Sequence, residues 1–161
     1  GGVSLDLPAF SLPDLLQAVF QKFELAAQAR RHTLPADIPP GLPAVVADLG
    51  LIERVLTNLL DNAIRHTPEG GRIEVVLRAQ DGEVQVAIAD TGPGIAPERR
   101  ASLFSTPPAL GSARPDSGGL GLLIVHRILQ LHHRQIRLMD SREGALFVFT
   151  LPIAAGNAAH A

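Results

Sequence analysis

Apolar residues recur every three or four positions in three segments of the chain, as expected of amphipathic helices. The segments cover approximately residues 12–31, 49–66 and 117–131. Ser11 and Asp48 stand immediately before the first two segments, and both are common N-cap residues. The pattern therefore predicts three helices.

Two pairs of segments instead alternate apolar and polar residues, which is the pattern of half-buried strands. In the first pair the apolar positions are Ile73, Val75 and Leu77, followed by Val84, Val86 and Ile88. Asp81-Gly82 lies between them and favours a tight hairpin turn. Residues 135–139 and 145–151 predict a second hairpin. Prolines exclude helix between the first two helices and leave extended pieces around Thr33 and residues 44–47.

This order of elements predicts a two-layer α/β (α+β) sandwich, in which about three helices cover one face of a mixed, mainly antiparallel sheet. The chain has 161 residues, of which 46% are hydrophobic and 19% charged, and these values suit one globular domain. We expect that domain to span residues 11–154, with a linker at 1–10 and a flexible tail at 155–161.

Composition and charge exclude several classes of function. Fourteen Lys and Arg residues against sixteen Asp and Glu give a net charge of −2, without the basic excess of a nucleic-acid-binding protein. The chain contains no Cys, which excludes disulfides and cysteine-bound metals, and it contains no Trp or Tyr. No apolar run approaches the ~20 residues of a membrane span, so we expect no membrane contact.

Polar residues form a stripe along the second predicted helix. Asn58, Asn62 and Arg65 are spaced i, i+4 and i+7, so they share one side of the helix. Amide oxygens can complete a Mg²⁺ shell together with water and phosphate oxygens, and an arginine can contact phosphate. Gly119 and Gly121, at the start of the third helix, allow backbone N–H groups to approach an anion. These residues favour a phosphate ligand.

A further candidate group follows the strand predicted at 84–88. Asp90 can accept a hydrogen bond from an exocyclic amine such as that of adenine, and Gly92 and Gly94 let the backbone pass close to a flat base. Asp-Thr-Gly also occurs in aspartic proteases, but those enzymes are almost wholly β, whereas this chain has three predicted helices. Residues 96–117 form a long loop, which is typical of a functional segment.

Three stretches, at 58–68, 90–95 and 119–122, resemble in sequence and order the N, G1 and G2 boxes of sensor histidine kinases. The resemblance extends over residues 11–153. It implies the Bergerat-type ATP-binding fold that histidine kinases share with Hsp90, type II topoisomerases and MutL, with an ATP lid at about residues 96–117. The chain departs from the family in the Phe-rich box after G1, where only Phe104 is retained.

The resemblance implies roles for individual residues. Asn62 would coordinate Mg²⁺, Asn58 would assist it and Arg65 would approach the phosphates, which makes these three the expected catalytic residues. His66 would border the nucleotide. The remaining residues expected to bind ATP are Asp90, Gly92, Gly94, Ile95, Phe104, Arg114, Gly119, Leu120, Gly121 and Leu122.

The resemblance also implies the reaction. Hsp90-like and gyrase-like ATPases place a water-activating Glu where this chain has Asn58, and an amide cannot accept that proton. We therefore expect a kinase that transfers the γ-phosphoryl group of ATP to a histidine on a dimerisation domain upstream of this chain, with a response regulator as the indirect partner. The chain would be the cytoplasmic part of a membrane-anchored sensor kinase. Two alternatives stay open: an ATP hydrolase of the same superfamily, and an interaction module that has lost ATP binding.

Two further pairs of residues receive simpler interpretations. Arg99-Arg100 is expected to be a solvated loop pair. His132-His133 is expected to be polar residues at a helix end, because no HExxH pattern or carboxylate partner accompanies it to form a metal site.

Overall fold

The computed structural model describes residues 7–100, 102–104, 119–141 and 143–154. In chain order its elements are β1 (Ala9–Phe10), α1 (Leu12–Ala29), β2 (Ala36–Asp37), β3 (Val45–Val46), α2 (Leu49–His66), β4 (Ile73–Gln80), β5 (Glu83–Asp90), α3 (Pro97–Arg100), α4 (Gly119–Leu131), β6 (Arg137–Met139) and β7 (Leu146–Pro152). The three predicted helices correspond to α1, α2 and α4, and α3 is a single additional turn.

Five strands form one sheet in the order β2-β4-β5-β7-β6. The pairs β4 with β5, β5 with β7 and β6 with β7 are antiparallel, whereas β2 runs parallel to β4. β1 and β3 form a separate antiparallel pair. The mixed, mainly antiparallel sheet predicted from the sequence is thus confirmed.

The core lies between this sheet and the long helices. Buried residues alternate along β4, β5 and β7, so one face of the sheet is apolar and covered. α2 contacts α1, α4 and β5. Its fully buried apolar side includes Ile52, Val55, Leu56, Leu59 and Leu60. Because this side faces the core, the polar stripe beside it is directed to the edge of the helical layer.

The first helix was predicted over residues 12–31 but ends at Ala29, two residues earlier. It ends there because the backbone adopts a left-handed conformation just beyond it. Arg31 has a φ of 56°. The N–H groups of Arg31 and His32 donate to the carbonyl oxygens of Gln28 at 3.0 Å and Ala27 at 2.9 Å. This pair of hydrogen bonds is the Schellman arrangement, which closes a helix and redirects the chain.

The first hairpin is confirmed as predicted. Gln80 pairs with Glu83, so Asp81 and Gly82 form a two-residue loop between β4 and β5. Their φ values are 52° and 79°, and a type I′ turn requires positive φ at both positions. The second hairpin also forms, although β6 begins at Arg137, two residues later than expected.

Several predictions concern residues outside the described part of the chain. These residues are Arg114, all of the lid after Phe104, residues 1–6 of the linker and the tail 155–161. Within the residues that are described, no helix combines the length and hydrophobicity needed to cross a bilayer.

Candidate functional site

A pocket lies where the C-terminal half of α2, the end of β5, α3 and the start of α4 meet. The described residues that line it are Asn62, His66, Asp90, Pro93, Gly94, Ile95, Arg99, Leu103, Leu122 and Ala145. The residues that were not predicted as site residues are Pro93, Arg99, Leu103 and Ala145. The structure therefore brings together residues from all three motifs, which are far apart in the sequence.

Asp90 is the buried carboxylate of this pocket, with only 6% of its surface exposed. Its Oδ1 accepts hydrogen bonds from the Gly92 N–H at 2.9 Å and the Ala145 N–H at 3.1 Å. Within the described residues, Oδ2 accepts no hydrogen bond. The protein thus fixes the orientation of the carboxylate through Oδ1. Oδ2 is left available to accept a hydrogen bond from a ligand.

Glycines allow the backbone to pass close to this carboxylate. A Cβ atom at Gly92 would lie 2.7 Å from the His66 carbonyl oxygen. Gly94 has a φ of 76°, and a Cβ atom there would lie 3.0 Å from the Gly144 carbonyl oxygen. These separations are shorter than ordinary van der Waals contact, so larger residues would push the G1 segment away from α2 and from the β6–β7 turn.

Gly144 is the most constrained residue that the sequence did not identify. Its φ is 68°, and a Cβ atom would lie 1.8 Å from the Asp90 carbonyl oxygen and 2.5 Å from Asp90 Oδ1. In the sequence this residue is recognisable only as a turn glycine. Its contact with Asp90 follows from the antiparallel pairing of β5 with β7, in which Ala89 lies opposite Leu146.

The polar stripe of α2 contributes unequally to the pocket. Asn62 is 9% exposed and lines the pocket. The amide nitrogen of the half-buried Asn58 donates to the Gly121 carbonyl oxygen at 3.3 Å, which joins α2 to the start of α4. Arg65 is exposed, lies 3.7 Å from the Asp61 carboxylate and is not among the described lining residues.

Of His66 and Phe104, which were both predicted to bind the nucleotide, only His66 is among the described lining residues. His66 lines the pocket, and its Nδ1 is 2.8 Å from the Asn62 carbonyl oxygen. Phe104 stacks on His126 with ring centroids 6.0 Å apart and meets Phe147 edge-on at 6.1 Å. The one retained Phe therefore anchors the segment after α3 to α4 and β7, beside Leu103, which lines the pocket.

The G2 residues begin α4, as the sequence predicted. Gly119 is its first residue, and Leu120 is 68% exposed. Leu122 is buried and lines the pocket, while Gly121 is held by Asn58. A Cβ atom at Gly121 would meet none of the described residues within 4 Å.

The two adjacent arginines of α3 differ in their contacts. Both are exposed, as expected of a solvated pair. Arg100 donates from Nε to the Ile95 carbonyl oxygen at 3.3 Å and from Nη1 to Asp140 Oδ1 at 3.2 Å. Arg99 lines the pocket instead, which the sequence did not indicate.

The two histidines at the end of α4 also differ. His132 Nε2 accepts a hydrogen bond from the Asp48 N–H at 3.0 Å, which links the end of α4 to the N-cap of α2. His133 is exposed, with a φ of 59°. Within the described residues, no group of three or more His, Asp or Glu side chains could hold a metal ion. A cation at the pocket would instead use amide oxygens such as those of Asn62 and Asn58.

Comparison with known proteins identifies related sequences. The profile of the family described as "Histidine kinase-, DNA gyrase B-, and HSP90-like ATPase" matches residues 47–155. The chain is 43% identical over 145 residues to the adaptive-response sensory kinase SasA of Synechococcus sp. (strain JA-2-3B'a(2-13)). That match covers 88% of this chain and 38% of the relative, so the chain spans less than two fifths of the relative's length.

Solved structures share the fold. The catalytic domain of histidine kinase ThkA, in a nucleotide-free form, superposes with a TM-score of 0.83 at 27% identity, covering 92% of this chain and 97% of that one. Histidine kinase ThkA in complex with the response regulator protein TrrA superposes with a TM-score of 0.79 at 27% identity, covering 94% and 43% of the two chains. These similarities confirm the fold that the three motifs implied.

Proposed function

Since this chain belongs to the family of histidine kinase-, DNA gyrase B- and HSP90-like ATPases, we propose that it is the catalytic domain of a sensor histidine kinase, which binds Mg-ATP and transfers the γ-phosphoryl group to a histidine. That histidine would lie on a dimerisation domain of the same parent protein, and a response regulator would receive the phosphoryl group afterwards. The proposed domain spans residues 11–154, with a lid at about 96–117, and works in the cytoplasmic part of a membrane-anchored protein.

The observation that carries this proposal is the state of the Asp90 carboxylate. Its Oδ1 accepts from two backbone N–H groups, and the residue is 6% exposed and lines a pocket beside glycines that let the backbone pass close to it. Within the described residues no group donates to Oδ2, so this oxygen can accept a hydrogen bond from a donor on a ligand. The exocyclic amine of adenine is such a donor, and it would lie against Ile95 and Leu122, which supply apolar walls.

The polar end of the pocket suits phosphate and Mg²⁺. Asn62 would hold the metal through its amide oxygen, and Asn58, whose nitrogen is engaged by Gly121, has its amide oxygen left to assist. Neutral ligands suit a cation whose charge is already balanced by phosphate. When bound, Mg²⁺ would neutralise charge on the transferring phosphoryl group. Arg65 and the N–H groups at the start of α4 would supply further positive potential.

The residue at position 58 favours phosphoryl transfer to a protein over hydrolysis. Asn58 faces the start of α4, and its amide cannot remove a proton from water. Without a base at position 58, the domain would act by positioning the nucleotide and neutralising charge, while the partner histidine supplies the nucleophile. We expect the isolated chain to bind ATP with little turnover. Rapid turnover by this chain alone would instead support the hydrolase.

Replacing Asp90 by Asn tests the adenine contact. The amide oxygen of Asn can keep the two bonds to Gly92 and Ala145, whereas its NH₂ group would face the adenine amine and repel it. We expect ATP affinity to fall by roughly a hundredfold or more in calorimetric titration. Asp81→Asn makes the same chemical change at the exposed hairpin turn and should leave affinity unchanged. Equal ATP affinity in the wild type and Asp90→Asn would contradict the proposal.

Replacing Asn62 by Ala tests the metal contact separately. We expect ATP affinity in the presence of Mg²⁺ to fall about tenfold, because the metal loses a protein ligand. Affinity for adenosine, which carries no phosphate, should stay within about twofold, because the base contact is untouched. If adenosine affinity fell as much as that for Mg-ATP, Asn62 would act on the pocket's shape and not through the metal.

A further inference from the structure

Arg99 differs from its neighbour Arg100 in how its side chain is paired within the described residues. Its backbone N–H donates to the Ala96 carbonyl oxygen at 2.9 Å, and its carbonyl oxygen accepts from Ser102, but within the described residues its guanidinium makes no hydrogen bond or ion pair. Arg100 beside it is bound by the Ile95 carbonyl oxygen and the Asp140 carboxylate. Arg100 is therefore paired at the surface, while Arg99 lines the pocket with a guanidinium that has no partner among the described residues.

The acidic and the basic side chain that line the pocket differ in their exposure to solvent. Asp90, the acidic group, is buried, whereas Arg99 is exposed and hence lies at the mouth. Within the described lining residues, Arg99 is the one guanidinium or ammonium group. When the base of a nucleotide binds at Asp90, we expect its phosphates to extend toward the mouth of the pocket, because phosphates are strongly hydrated anions. An exposed guanidinium that lines the pocket is therefore available to the negative charge of the ligand.

We propose that Arg99 is a phosphate-binding residue, whose guanidinium contacts the polyphosphate of the nucleotide held in this pocket. The proposal rests on the nucleotide-binding function above. The only lysine in the chain is Lys22, which pairs with Glu53 on α2, so phosphate charge has to be met by arginine, metal and backbone N–H groups. Guanidinium binds phosphate through charge-assisted, often bidentate, hydrogen bonds. Such a contact would join α3 to the bound nucleotide.

The adjacent arginines provide a matched test. Arg99→Gln removes the charge but keeps a polar, exposed side chain, and Arg100→Gln makes the same change one residue later. We would titrate the 161-residue chain with ATP, ADP and adenosine by calorimetry. For Arg99→Gln we expect ATP affinity to fall about three- to tenfold, ADP affinity to fall less and adenosine affinity to stay unchanged. Arg100→Gln should change ATP affinity by less than about twofold, and Arg99→Lys should restore part of it.

Each other outcome has a definite meaning. If Arg99→Gln binds ATP as the wild type does, Arg99 makes no phosphate contact, and the proposal is wrong while the nucleotide site stands. An equal loss for ATP and adenosine also overturns it, because the residue would then support the base or the pocket walls. If the wild type binds none of the three ligands, the proposed function and this inference both fail.

Discussion

Gly144 lies against Asp90 so closely that no side chain fits between them, and this contact fixes the most important carboxylate of the pocket. The next residue, Ala145, donates its N–H to Asp90 Oδ1 at 3.1 Å. A Cβ atom at position 144 would lie 1.8 Å from the Asp90 carbonyl oxygen. The hydrogen bond and the close approach therefore depend on each other, and the glycine is part of the site although it would touch no ligand.

Replacing Gly144 by Ala should damage both stability and nucleotide binding. The left-handed backbone costs about 1 to 2 kcal/mol for a non-glycine residue, and displacing Asp90 adds about 1 to 3 kcal/mol. We expect the free energy of unfolding in urea to fall by about 2 to 5 kcal/mol, with a loss of ATP affinity.

Gly82→Ala is the matched control for this change. Gly82 also has a positive φ, of 79°, but a Cβ atom there would meet no atom of the described part of the chain within 4 Å. Its cost should therefore be the backbone strain alone, about 1 to 2 kcal/mol, with ATP affinity unchanged. Equal losses of stability for the two variants would contradict this prediction, because they would show that Asp90 can move away from a Cβ atom at position 144 without an energetic cost.

At the scale of elements, the sequence predicted which segments are helices and strands better than where they end. Helical periodicity continues past Ala29, yet Arg31 adopts φ of 56° and closes α1. α4 ends in the same way, since the N–H groups of His133 and Arg134 donate to Gln130 and Leu129 at 2.9 and 2.7 Å. Glycine usually marks this position. Because neither helix has glycine there, composition gave no signal for the turn.

The turn after α4 allows a stabilising substitution. His133 is exposed and has a φ of 59°. His133→Gly removes the left-handed strain of about 1 to 2 kcal/mol, and part of this gain is offset by the greater freedom of glycine in the unfolded chain. We expect a net gain of about 0.5 to 1 kcal/mol in urea unfolding.

The same replacement three residues earlier should have the opposite sign. Gln130 is exposed and lies within α4, so Gln130→Gly should lower the free energy of unfolding by about 1 kcal/mol. Loss of stability in both variants would mean that His133 contributes contacts that outweigh its strain. His132 is a less suitable position for this test, because its ring accepts the Asp48 N–H and joins two helices.

At the scale of the whole molecule, the pocket depends on long-range pairing that local patterns do not contain. The motif residues Asn62, Asp90 and Leu122 could be selected from the sequence because each stretch resembles a known box. Ala145 and Gly144 could not, since they reach the pocket only through the β5–β7 pairing. Arg99 could not either, because two adjacent arginines look alike in a sequence and are separated only by what each side chain meets in the fold.

Because the pocket draws on α2, β5, α3, α4 and the residue before β7, nucleotide should stabilise the chain as one cooperative unit. At about a hundredfold excess of ATP over Kd, with Mg²⁺, linkage gives about 2.7 kcal/mol. For a chain of this size that corresponds to a rise in Tm of roughly 5 to 10 °C. In calorimetric scans we expect a single transition that moves upward with ATP, and a rise of no more than about 1 to 2 °C for Asp90→Asn. A second transition that stays at the original temperature would instead mean that the ligand stabilises only part of the chain.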